Sequence, residues 1–87
     1  VDLALALSLI SSYKNVAVPE DAVAFGEIGL AGECRSVPNI EQRISEAARM
    51  GFSKIVLPKR CTVKNVPDGV ELIKVQGIFD LLGFLGV

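Results

Sequence analysis

The sequence predicts a mixed α/β domain, and three observations carry that expectation. Residues 25–37, Phe-Gly-Glu-Ile-Gly-Leu-Ala-Gly-Glu-Cys-Arg-Ser-Val, form a strand-like run broken by three glycines at intervals of three. Ile40, Ile44, Ala47 and Ala48 recur at helical spacing, with Glu41, Arg43, Glu46 and Arg49 off the stripe. Two further apolar runs, Lys54–Leu57 and Val70–Val75, are bounded by proline or glycine turn signals. The resulting order is helix-β-β-helix-β-β-helix, with connections long enough for parallel pairing. A chain of 87 residues allows one small domain, or part of a larger protein.

The first helix is expected over residues 2–13, where leucine and alanine dominate and almost no polar face remains. Such a helix is normally covered on most sides, so strands preceding Val1 in a longer parent are expected to pack on it. Lys14–Pro19 reads as a loop, with Pro19-Glu20-Asp21 opening a turn. Ala22–Leu30 and Glu33–Val37 are two strand arms, and Ala31-Gly32 is the expected tight turn between them. Gly26 and Gly29 fit turn chemistry less well, and inside a strand such glycines mark a bulge or a close approach of other backbone.

The second helix is expected over 40–50, with Asn39 as N-cap, Gln42 completing a capping box and Gly51 terminating it. Pro58 stops the following strand. Residues 59–69 form a basic loop closed by Pro67-Asp68-Gly69, and Gly77–Leu85 is a last helix with Ile78, Phe79, Leu82 and Leu85 facing the core.

Net charge is −1, which by itself points to no nucleic-acid or membrane partner. Its distribution is uneven, because residues 43–64 carry six basic side chains and one acidic one. Arg43, Arg49, Lys54, Lys59, Arg60 and Lys64 make a local positive zone, either a solvated face or a binding patch. Cys34 and Cys61 lack metal-ligand spacing and there is no histidine, so no metal site is expected. Of the two states open to the pair, one bridge or two free thiols, free thiols in a reducing cytoplasm are the simpler account. No apolar run approaches the roughly 20 residues that span a bilayer. A soluble, cytoplasmic protein without a membrane partner is therefore expected.

The nine residues Phe25–Glu33, followed by Arg35 and Val37-Pro38, resemble the C-terminal domain of RadA (Sms)-type bacterial DNA repair proteins. The likeness extends from Asp2-Leu3-Ala4 through Ala47–Phe52 to Ile55–Lys59. That domain is similar to the proteolytic domain of Lon, so the resemblance implies a Lon-protease-like fold over residues 1–87 that lacks its N-terminal strands. It also implies a parent with a zinc finger and a RecA-like ATPase, acting as a hexameric ring on recombination intermediates. ATP, magnesium and zinc would belong to that parent, and no cofactor is expected in this chain.

Lon-type proteases use a Ser–Lys dyad, in which a deprotonated lysine activates the serine. Aligned without gaps from Gly32 to Pro58, the dyad lysine falls on Glu41, and the serine falls ahead of Val1. Ser8, Ser11 and Ser12 have the wrong spacing to substitute. The domain is therefore expected to be catalytically inactive, its parent a DNA-dependent ATPase. A phosphate loop, a dinucleotide fingerprint and a metal cluster are also missing from the sequence.

What remains is assembly and binding. Gly26, Glu27, Gly29, Gly32 and Arg35 are candidates for close subunit packing, with Arg35 free to pair with Glu33, Glu27 or a neighbour. Lys59, Arg60 and Lys64, with Arg43 and Arg49, are candidates for sequence-independent DNA phosphate contacts. No aromatic residue falls within 53–64, which argues against single-strand binding. The alternatives are a pure oligomerisation module without DNA contact and a fragment of a Ser–Lys protease.

Overall fold

A three-stranded parallel sheet organises the computed structural model, which describes residues 1–87. Its strands are β1 (Ala22–Ala24), β4 (Lys54–Pro58) and β5 (Glu71–Val75), in the order β1-β4-β5. β2 (Glu27–Ile28) and β3 (Cys34–Arg35) form a separate antiparallel hairpin. The helices are α1 (Leu3–Lys14), α2 (Ile40–Arg49) and α3 (Ile78–Leu85). The parallel pairing expected from the connection lengths is present, with Ile55 level with Val23 on one side and Leu72 on the other.

β4 is buried on both faces, as its unbroken apolar run requires. Val56 packs with Leu3, Leu7, Ala24, Val75, Leu81 and Leu85 on the side of α1 and α3. Ile55 and Leu57 point the other way and pack with Ile44, Ala47 and Cys61, beside Val23, Phe25, Phe52 and Leu72. The sheet thus has α1 and α3 on one face, and α2 with the 59–70 connection on the other.

The first strand arm differs from expectation. Ala22–Leu30 is not one strand but two, divided at Phe25-Gly26. Gly26 has φ +151°, and a Cβ there would lie 2.9 Å from Pro58 Cγ and 3.1 Å from Leu3 Cδ2. The Phe25 N–H still donates to Val56 O at 2.9 Å, but the Gly26 carbonyl already accepts from Leu3 N at 2.9 Å. Gly26 is therefore where the chain leaves one sheet for the other, pressed against Pro58 and the start of α1. Three strands, not two, separate α1 from α2.

The hairpin turn is also one residue longer than the expected Ala31-Gly32. Gly32 N donates to Gly29 O at 3.0 Å and Gly29 N to Glu33 O at 2.8 Å, so Leu30, Ala31 and Gly32 form the loop. Gly32, at φ +84°, takes the left-handed position of such three-residue loops. Both edges of the hairpin are paired: Ile28 N donates to Val1 O at 2.7 Å, and Cys34 N to Gln76 O at 3.0 Å.

Pro58 is the last residue of β4 rather than the residue just beyond its end. Lys59 N donates to Val75 O while Val56 O accepts from Phe25, so alternate residues serve alternate neighbours. Position 58 therefore faces the side where β1 has already ended, and its missing N–H breaks no ladder bond.

All three helices end in one motif. Gly51, Gly86 and Asn15 are left-handed. Phe52 N bonds Ala47 O, Val87 N bonds Leu82 O and Val16 N bonds Ser11 O, each at 3.0 Å, as in a Schellman cap. The expected capping box on α2 is not formed. Asn39 is itself left-handed at φ 59°, which turns its side chain away from the first-turn N–H groups, and it makes no cap bond. Asp2 caps α1 instead, accepting from Ala4 N at 2.8 Å and Leu5 N at 3.2 Å.

The core face of α3 is rotated from the expected one. Leu81 and Leu85 are buried, whereas Ile78 and Phe79 are exposed, Phe79 by 84%. α1 buries only Leu3, Ala6 and Leu7, and leaves Leu5, Leu9 and Tyr13 outside.

Candidate nucleic-acid interface

β4 and β5 end together, and the residues that follow them form a cleft. Lys59, Arg60, Val75 and Gln76 line it on one side and Glu33 and Cys34 of the hairpin on the other, enclosing about 330 Å³. Open parallel sheets bind ligands outside the carboxyl ends of their strands, and this cleft occupies that place. Gln76 does not stand out in the sequence. Its position directly after a parallel strand is the signal that could have found it.

The cations of the basic zone divide into engaged and free ones. Arg49 pairs with Glu46 one turn earlier on α2. Arg43 donates through Nε to Pro38 O at 3.0 Å and lines a different groove, of about 450 Å³ between α2 and β1, with Val23, Phe25, Met50 and Phe52. Lys59, Arg60 and Lys64 are exposed, and none takes part in the three ion pairs of the chain. Lys64 sits on the connection that runs over the α2 face, where Asn65 N reaches Glu41 Oε1 at 3.4 Å. The structure thus brings Lys59 and Arg60 together, keeps Lys64 on the same loop, and places Arg43 and Arg49 elsewhere on α2.

The glycine motif acts locally. The Glu33 carboxylate folds back over Gly29, where a Cβ would collide with it. There it accepts from Ala31 N at 3.1 Å and from Arg35 Nη2 at 2.7 Å and Nε at 3.0 Å. Of the partners open to Arg35 in the sequence, the chain uses Glu33. Hydrogen bonding from its own backbone N–H, then from Arg35, holds the Glu33 carboxyl below the usual range. Burial pushes the Cys34 thiol up, with Asp80 and Glu33 adding to the shift, so this thiol is a poor nucleophile.

Glu41 and the serines of α1 lie on different sides of the sheet. Glu41 starts α2, and Ser8, Ser11 and Ser12 belong to α1. Ser11 is engaged with Val16 O, five residues on, rather than with the carbonyl four residues back that is usual for helical serines. Cys34 and Cys61 are both free and buried, in separate core clusters. No helix is long and apolar enough to cross a membrane.

A small parallel sheet between helices, with a basic cleft at its strand ends, is the frame on which the likeness to known proteins falls. Residues 1–61 match the protein family described as subunit ChlI of Mg-chelatase, and the chain belongs to that family. It is also similar to the DNA repair protein RadA of Escherichia coli, 44% identical over 81 residues, which is 93% of this chain. RadA of Haemophilus influenzae is 45% identical over 97% of the chain, and RadA of Mycolicibacterium smegmatis 43% over 88%. The chain spans about a fifth of the length of these relatives, 18% for the first two. The resemblance carried by the glycine motif is thereby shown.

Proposed function

We propose that this chain is a Lon-like, proteolytically inactive scaffold domain of a RadA-type protein of DNA repair and recombination. It serves ring assembly and holds duplex DNA through its phosphates. The relatives named for DNA repair match 77 to 84 of its residues, a stretch that necessarily includes the basic loop and β5. The observation that carries the DNA contact is the presence of Lys59, Arg60 and Lys64 as three unpaired cations on one loop, the first two of them in the cleft at the strand ends. Phosphate contact by such side chains positions a duplex without reading its sequence. ATP hydrolysis belongs to the rest of such a parent, and its place of action is the cytoplasm. Inactivity as a protease is supported by Glu41, which stands where the resemblance puts the dyad lysine.

The test is duplex binding by the chain at two salt concentrations, with Lys59, Arg60 and Lys64 intact or changed together to alanine. Removing one phosphate-bound cation should flatten the log–log salt slope by about 0.9, so the triple change is expected to flatten it by between one and three such steps. An unchanged slope would leave the positive loop as a solvated face.

A second reading, a pure oligomerisation module, is favoured by a different observation. Leu5, Leu9 and Tyr13 form an exposed apolar stripe on α1, while Leu30 on the hairpin loop and Phe79 on α3 are also largely or fully exposed. Stripes of this kind mark contacts with other chains. Under that reading, sedimentation shows assembly that Leu9→Lys abolishes, while duplex DNA is not retained at low salt.

A further inference from the structure

Glu33 lines the same cleft as Lys59 and Arg60, yet pairs with neither. Its carboxylate is turned back along the hairpin by Arg35, which grips Oε2 through two nitrogens, and by Ala31 N–H on Oε1. Gly29 provides the space in which it lies. A carboxylate released from that seat has two unpaired cations in its own cleft to turn to. Arg35 is itself on β3 and does not line the cleft.

We propose that Arg35 is a positioning residue, which sequesters the Glu33 carboxylate on the hairpin and so keeps Lys59 and Arg60 available to a phosphate. This role rests on phosphate contact at Lys59 and Arg60, and it adds to that contact an internal competitor held in check. Arg35 acts without touching the nucleic acid. Loss of its guanidinium lets Glu33 neutralise the cations that the phosphate would otherwise meet.

The test is binding of a short DNA duplex to the whole chain, followed by fluorescence anisotropy. Arg35→Ala should weaken binding about threefold, the scale of one exposed ion pair. Arg35→Lys, which can still hold Glu33, should bind within a factor of about two of the parent chain. Arg35→Ala combined with Glu33→Gln should recover parental affinity. Net charge alone would give the same recovery, so Arg35→Ala is also combined with Glu71→Gln, at the opposite end of the sheet. That pair should stay weak. Circular dichroism of each variant shows that the fold is intact.

Recovery in the Glu71→Gln pair overturns the proposal, and two further results also overturn it, each leaving the DNA reading in place. One is a double variant with Glu33→Gln that stays as weak as Arg35→Ala, with a salt slope shallower by about 0.9, which makes Arg35 a direct phosphate contact. The other is an Arg35→Ala chain that binds like the parent. If Lys59→Ala with Arg60→Ala leaves binding unchanged, the DNA reading fails and this role falls with it.

Discussion

A methyl group at Gly26 would have to displace the ring of Pro58 at 2.9 Å and the Leu3 side chain at 3.1 Å, in a backbone conformation that side chains disfavour. Gly26→Ala should therefore destabilise the chain by about 2 kcal/mol or more in urea unfolding, combining backbone strain with overpacking. Gly29 is a different case, because its neighbour is the movable end of Glu33. Gly29→Ala should cost less than about 1 kcal/mol, but should release the Glu33 carboxylate. Acid stability reports that release. Asp21 and Glu33 both titrate below their ordinary values of 3.8 and 4.5, Asp21 chiefly through the Ser53 hydroxyl. Groups shifted downward add stability that is complete above those ordinary values and disappears as pH falls through the lowered ones. Melting temperature should accordingly drop on acidification below about pH 4.5. The drop should be shallower in Glu33→Gln, Asp21→Asn and Gly29→Ala.

At the scale of elements, the sequence is most readable where polar and apolar residues alternate. α2 shows its buried side through Ile44 and Ala47 against charged neighbours, and its stop through Gly51. α3 has no such contrast, since Ile78, Phe79, Leu81, Leu82, Phe84 and Leu85 surround the axis. Its phase is set by what it packs on, and Leu81 meets the α1 side of the sheet. Leu81→Ala should cost about 2–4 kcal/mol, whereas Phe79→Ser should change stability by no more than about 0.5 kcal/mol. The opposite ranking would restore the phase expected from the sequence. The division of the first arm at Gly26 is illegible for a related reason. The partner that forces it, Pro58, arrives only after α2 and β4 have been placed. The cleft is half legible: Lys59 and Arg60 stand out as charges, but Glu33 and Gln76 join them only through the fold.

The whole molecule has the compactness of a domain but more exposed surface than its mass predicts. Its radius of gyration is 12.1 Å, close to the roughly 12 Å of a compact domain this long. Its accessible surface of 5494 Å² exceeds the roughly 5000 Å² that scaling predicts for a monomer of its mass. Only 16 of 87 residues are buried, so a modest core holds two small sheets together. Folding alone, such a chain should be marginally stable, and any partner that covers α1 should raise its melting temperature.

The joint at Gly26 also separates two clocks. The β2–β3 hairpin closes over a loop of three residues, an event of about 1–10 μs. The β1-β4-β5 sheet instead waits for two parallel crossovers, and non-local pairings of that kind slow folding towards milliseconds or beyond. The fast-forming part has little buried surface of its own, so it should open and close many times before the slow part captures it. In the native state the order is inverted. Deuterium should enter the Gly29 and Gly32 amides early and those of Ile55 and Val56 last, and the boundary between the two tiers should fall at residue 26.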